Sequence, residues 1–376
     1  MNQQRGYILF ITFSILALCV ALVSAFMVKG FAHKKLTLLL LEQEQLAQFA
    51  ISTPALAQSF LAISGKEIEA LQAPVEDQQQ NQPGENKPED QPVGGQSLEK
   101  IILERMLPVV NKTQTFRLKE IDKGLPAQLN LTFFCESGKI NINGLYDLEN
   151  KKFHNEGITG KDQKVFVTWL FDRIAVITEK PSLFGPFVEH LKQRKAPFND
   201  VTQLLEIKEF AACFGQTVFY DEESQKLDPD KKSNKIYLTD IFTVSSEHDT
   251  IQPWLLSPSV CALLDIVQTS SKQGESEKKE EKKFDLTSFK LNTDWAKDWE
   301  ILLKQVYGVS YDKIPEPVRC MFLPQFSVTV FSVLVTVKKQ LVESENNMTV
   351  GIFAILKQKR LPDNSITYDV IKIYQV

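Results

Sequence analysis

The chain has 376 residues, 24% of them charged, with acids and bases interspersed to a formal net charge of −4. That balance leaves no basic stripe of the kind that holds a phosphate backbone, so a chain built around nucleic acid is excluded. The length leaves room for two or three domains.

The first element is an apolar run behind QQRG. Residues 7–28 contain no charge, and as a helix they would reach roughly 33 Å, enough to cross a hydrocarbon core. Three readings compete for this transmembrane helix. A cleaved secretory signal is suggested by the small residues of Val23-Ser24-Ala25. Against it, the run exceeds an h-region of about 7–15 residues, and its basic flank is Arg5 alone. The other readings are a plain membrane anchor and a short leader (1–6) followed by an assembly helix. Lys29, Lys34 and Lys35 follow the run, whereas Arg5 and the terminal amine precede it. The positive-inside rule alone therefore favours a cytoplasmic C-terminal region.

Residues 29–72 continue in helical style. Leu38, Leu41, Gln45 and Gln48 share one stripe and Leu39, Leu46, Phe49 and Ala50 another, with a break expected at Pro54. A linker is expected over 73–98, because 76–97 is Gln/Pro/Gly-rich and lacks apolar residues to offset ordering entropy. Residues 99–150 hold the first strands, with FRLKEI (116–121) and LNLTFFCESGKININGLYD (129–147) read as extended. A helical block follows over 151–323. Its helices are expected at 164–180, 182–194, 199–214, 257–268 and 294–308, around a solvated charged loop at 270–284. The last block, 324–376, carries three β-branched and aromatic runs joined by polar turns. In the first of these the alternation changes phase at Phe331 to Val333, as a β-bulge would cause. The order predicts an α+β fold: a long N-terminal helix and an antiparallel sheet with an inserted helical domain.

Chemistry-bearing residues are sparse. Cys19 lies in the apolar run and reads as inert in lipid. Cys135, Cys213, Cys261 and Cys320 show no CxxC and no metal-ligand spacing and read as buried free thiols, the alternative being one disulfide in an oxidising compartment whose pairing the sequence does not choose. His33, His154, His190 and His248 stand outside any HExxH, G-x-S-x-G or P-loop context, so no catalytic residue is assigned. The segment 195–210 resembles half of a helix-hairpin-helix, but Glu206-Ile207-Lys208-Glu209 offers no glycine and its acids repel phosphate. No nucleic-acid partner is expected.

Four stretches resemble one family, the minor pseudopilin K of bacterial type II secretion (general secretion pathway protein K). QQRG before the apolar helix is similar to a prepilin peptidase site cut after Gly6, making Tyr7 the first mature residue. ESGKININGLYD (136–147) resembles the strand ahead of the family's helical domain. KAPFNDVTQLLEI (195–207) resembles the start of a helix in its SAM-like fold. LTDIFTVSS with LSPSVCALLDI (238–266) resembles a third family segment. The chain departs from the family at Thr250-Ile251-Gln252-Pro253-Trp254 and in its Gln/Pro-rich linker.

The resemblance implies a non-catalytic subunit at the tip of a secretion pseudopilus. It would sit in the inner membrane as a single-pass protein with its C-terminal domain in the periplasm. Implied partners are other minor pseudopilins, prepilin peptidase and the inner-membrane assembly platform. Counted from Tyr7, the fifth residue is Ile11, where major pilins carry a glutamate that pairs with a neighbour's terminal amine. A tip subunit has no subunit above it, and an unpaired carboxylate there would be costly. Calcium is also implied for the helical domain. The densest acids are Asp221, Glu222, Glu223, Asp228 and Asp230, but Lys232 occupies the next position of an EF-hand-like loop and the glycine is missing. No metal ligands or cofactors are assigned. The alternatives are a membrane-anchored envelope protein of another role and a minor pilin of a type IV pilus.

Overall fold

Uncharged over 7–28 and free of proline, the N-terminal run has nothing to stop a helix. In the computed structural model, which describes residues 3–64, 98–118, 127–221, 235–266, 299–323, 328–340 and 347–376, it forms α1 (Gln3–Ser52), 50 residues without interruption. The helix ends where Pro54 removes a backbone donor; Thr53 turns the chain, and Pro54 becomes a first-turn residue of α2 (Pro54–Leu61). The break expected at Pro54 is borne out.

The two stripes of α1 separate cleanly. Leu39 is half-buried and Leu46 and Ala50 are buried, whereas Leu38, Leu41, Gln45 and Gln48 face out. Phe49 lies at the edge of the buried stripe, 39% exposed. Beyond α2, Ile63 exchanges two backbone hydrogen bonds with Ile366, at 2.9 and 2.8 Å. A third helix, α3 (Leu98–Met106), buries Ile101, Ile102, Leu103 and Met106 ahead of the first strand. The expected linker at 76–97 and the charged loop at 270–284 lie outside the described residues.

Strands β1 (Thr113–Leu118) and β2 (Ala127–Cys135) begin the sheet. The chain then leaves it for the insertion. Here 136–147 is not one extended strand, because two 3₁₀ turns divide it into β3 (Ile140–Asn141) and β4 (Tyr146–Asp147), the latter paired with β5 (Lys152–Phe153). The helices of the insertion are α4 (Gln163–Thr178), α5 (Phe184–Gln193), α6 (Lys208–Phe214) and α7 (Leu238–Ile241). The two-residue β6 (Phe242–Thr243) runs parallel to β3. It is followed by α8 (Pro258–Leu263), α9 (Lys304–Tyr307) and α10 (Glu316–Arg319). Asp162 caps α4 by accepting from the Lys164 amide at 2.8 Å. The Phe171 ring centres the apolar packing, 5.0 Å from Phe187 and 5.6 Å from Phe210.

The sheet resumes with β7 (Val330–Gln340), β8 (Asn347–Arg360) and β9 (Ile366–Gln375), in the order β1-β2-β7-β8-β9, antiparallel throughout. This is the expected α+β architecture, with the insertion placed between neighbouring strands β2 and β7. One expectation is corrected. β7 pairs with both neighbours without a register break, and the bulge lies instead in the β8–β9 ladder, between Ile355 and Leu356. The phase change misled because β7 is apolar on both faces. Phe331, Val333, Val335 and Val337 belong to the main core, while Val330 and Leu334 join Phe134, Phe353 and Ile355 in a second cluster under Phe219 and Tyr220.

Candidate functional site

Three of the four stretches that carry the family resemblance meet at one junction, where the insertion leaves the sheet. Asn141 holds the loop after β6, donating from Nδ2 to the Ser246 and His248 carbonyls at 3.3 and 3.2 Å. Its Oδ1 accepts from the Asn143 amide. Asn143 in turn clips the 195–200 loop: its Nδ2 donates to the Phe198 carbonyl at 2.9 Å and its Oδ1 accepts from the Phe198 amide at 2.7 Å. The Gln252 amide donates to the Ser137 carbonyl at 2.7 Å. At Gly138 a side chain is impossible without rearrangement, since a Cβ would stand 1.8 Å from the Leu255 carbonyl oxygen.

A charged centre lies inside this junction. Glu136 and Lys139 form an ion pair with side chains only 3% and 1% exposed. The carboxylate also accepts from the Ser332 hydroxyl at 2.5 Å and from Thr243 at 2.5 Å. The Lys139 ammonium donates to Ser332 Oγ at 3.2 Å and lies 5.6 and 5.4 Å from the ring centres of Phe134 and Phe353. Residues from the 136–139 turn, β6 and β7 thus complete one another's hydrogen bonding, the condition under which a buried charge is tolerated. Above it, Asp240 takes the amide of Ser259 on Oδ2 at 2.6 Å, and its main-chain carbonyl accepts from the Ser257 hydroxyl.

A second set of polar contacts joins the rim of the insertion to the sheet. Asp200 is paired with Lys372 and accepts from the Tyr374 hydroxyl at 2.7 Å. Burial pushes the Asp200 carboxyl up, but hydrogen bonds from Lys372, Tyr374 and Thr202 outweigh it and hold the group below its ordinary range. Glu247 pairs with Lys357 at 3.0 Å, and that contact lowers its carboxyl as well.

The residues singled out in the sequence are dispersed. Gly6, Tyr7 and Ile11 all fall within α1. Among the described residues, one helix is long and apolar enough to cross a membrane; its apolar window has a mean hydropathy of 2.3 and no part of it is buried. His33 lies on α1, His154 follows β5, His190 stacks on Phe198 in α5 and His248 lies in the loop after β6. All five cysteines are free. Cys135 and Cys261 are buried as expected, Cys213 and Cys320 are half-buried, and Cys19 is exposed on α1. Burial pushes the Cys135 thiol up to about 12, so it stays protonated at neutral pH. Of the acidic loop only Asp221 is described, and its carbonyl accepts from the Tyr237 hydroxyl; Glu222, Glu223, Asp228 and Asp230 lie outside the described residues. Among the described residues no group of three His, Cys, Asp or Glu could hold a metal ion.

Sequence reasoning missed the Glu136–Lys139 pair, Asp240 and the Asp200–Lys372–Tyr374 contacts. The first left a signal, two opposite charges three residues apart between apolar runs. The last left none, since its members are more than 170 residues apart.

No protein-family model matches the chain, and no curated protein matches it. Among solved structures it is similar to a chain of the GspK-GspI-GspJ complex of the type 2 secretion system of enterotoxigenic Escherichia coli. The identity is 12% and the TM-score 0.34, over 74% of this chain and 90% of that one. The overlap is long but geometrically loose.

Proposed function

We propose that this protein is a minor pseudopilin at the tip of a type II secretion pseudopilus, a non-catalytic subunit that helps to start the filament. The observation that carries the reading is α1 itself. One unbroken helix runs from a bare apolar half into a half seated on an antiparallel sheet, so force and position at the membrane end pass directly to the folded end. In this reading Gly6 precedes the cleavage point, Tyr7 begins the mature chain, and the apolar half is the spine shared with neighbouring subunits. Ile11 leaves the fifth mature position uncharged, as suits a subunit with no terminal amine above it. The partners are other minor pseudopilins, prepilin peptidase and the inner-membrane assembly platform, with the sheet and insertion in the periplasm.

The test is processing. Co-expressed with prepilin peptidase, the wild-type chain should begin at Tyr7 by N-terminal sequencing, and Gly6→Ala should remain uncut. A mature terminus after Ala25 in both chains, or no processing of either, would overturn the assignment. Ile11→Glu places a carboxylate within the apolar run at a cost of about 2.5–3.5 kcal/mol. It should lower membrane insertion or recruit a partner amine, read as membrane-fraction yield and crosslinking.

A further inference from the structure

Two carboxyl groups and one ammonium are sealed in the junction, and only one of the carboxyls is matched. Lys139 is in ion contact with Glu136 and shares the Ser332 hydroxyl with it. Asp240, at the middle of the one-turn helix α7, is 2% exposed. Its Oδ2 accepts from the Ser259 amide, and its Oδ1 has no hydrogen-bond partner.

The elements packed against Asp240 supply little more. The 136–139 turn presents Glu136 and Lys139, α8 presents the uncharged Ser257 and Ser259, and β6 presents Thr243, whose hydroxyl is given to Glu136. The 3₁₀ turn Val201–Glu206, also packed on α7, carries one titratable group, the exposed Glu206. Among the described residues, no second cation faces the site. A buried carboxylate without a matching charge is costly, and the usual relief is to take up a proton.

We propose that Asp240 is protonated in the folded chain, and that this proton makes the junction a clasp which loosens as the pH rises. Ionisation would place two carboxylates beside one ammonium in a site closed to water. The strain would fall on the contacts that seat α7 and α8 against the 136–139 turn. Electrostatics agree with the geometry: burial, reinforced by Glu136, pushes the Asp240 carboxyl up, against the opposing pull of Lys139 and the Ser259 contacts.

The sign follows from linkage. A carboxyl raised on folding makes the folded state bind the extra proton. Its contribution is complete below the ordinary aspartate value of about 3.9 and is lost as pH climbs through the folded value. Between those two values the ratio of folded to unfolded chain falls by about tenfold per pH unit, and above the folded value, where the group is ionised in both states, it changes no further. Asp200 and Glu247, with lowered carboxyls, act in the opposite direction and weaken as pH falls.

The test is the denaturant unfolding of the full chain in detergent micelles, from about pH 5 to about pH 9. The variants are Asp240→Asn and Glu136→Gln. The wild type should lose stability as the pH rises, until the folded carboxyl ionises; Asp240→Asn should lose that dependence; and Glu136→Gln, which frees Lys139 for Asp240, should level off at lower pH. Equal slopes of stability against pH for wild type and Asp240→Asn across this range would overturn the proposal. Should the asparagine variant not fold, infrared spectra of wild-type protein carrying ¹³C-aspartate give an independent reading. A protonated-carboxyl band at neutral pH that disappears on raising the pH supports the proposal, and its absence at neutral pH refutes it.

Discussion

The two faces of the sheet are covered by different chemistry. On one face α1 and α2 lay an apolar stripe, Leu46, Ala50, Ala57 and Leu61, over the odd-numbered core residues of β7 and their partners. On the other face the insertion holds on through a small aromatic cluster, the buried Glu136–Lys139 pair and the Asp200 contacts. Apolar burial is indifferent to pH and tolerant of detail. A buried charge network demands that every member be present. The helix side should therefore fail gradually under mutation, and the insertion side abruptly.

Lys139→Met is the sharpest way to break that contrast. Removing the ammonium strands Glu136 in an apolar site and should cost about 3–5 kcal/mol, seen as a lower denaturation midpoint. Amide exchange should rise in the insertion while residues 46–61 stay protected. Leu61→Ala is the matching change on the other face, worth about 2–5 kcal/mol, with the exchange pattern reversed. If both variants open the same amides, the two faces do not behave as separate attachments. Gly138→Ala drives a Cβ into the Leu255 carbonyl and should cost about 1–3 kcal/mol through backbone displacement, again confined to the insertion.

The smallest effect belongs to the rim. Asp200→Asn removes a pair whose lysine is 34% exposed, so about 0.2–1 kcal/mol is expected. Because the Asp200 carboxyl is lowered on folding, its contribution is present above the ordinary value of about 3.9 and is lost as pH falls through the folded value. The gap between wild type and Asp200→Asn should therefore close in acid, as followed by thermal unfolding.

Much of this architecture was legible in the chain. The apolar run, the stop at Pro54 and the β-branched C-terminal runs are local signals, and local physics decides them. The strand reading of 136–147 failed because Asn141 and Asn143 spend their side chains on loops more than 50 residues away. No pattern of neighbours reveals that. The bulge expected in β7 failed because alternation reports one buried face, and β7 has two. The buried pair was visible as residues but not as a site, since Ser332 and Thr243 reach Glu136 from 196 and 107 positions away.

The placement of the insertion also governs the order of assembly. Cys135 lies opposite Phe331 in the ladder, so β2 must wait for its central partner while everything between them is made. At about 5–20 residues per second that delay is roughly 10–40 s. Throughout it one long edge of β2, with Leu129, Leu131 and Phe133 beside it, has only β1 for company. The contacts that finally close it are among the most distant in the chain, which slows closure further. A newly made copy is thus most vulnerable to aggregation and proteolysis just before its last fifty residues emerge. A C-terminal truncation before β7 should leave a stub that is degraded, whatever the state of its N-terminal helix.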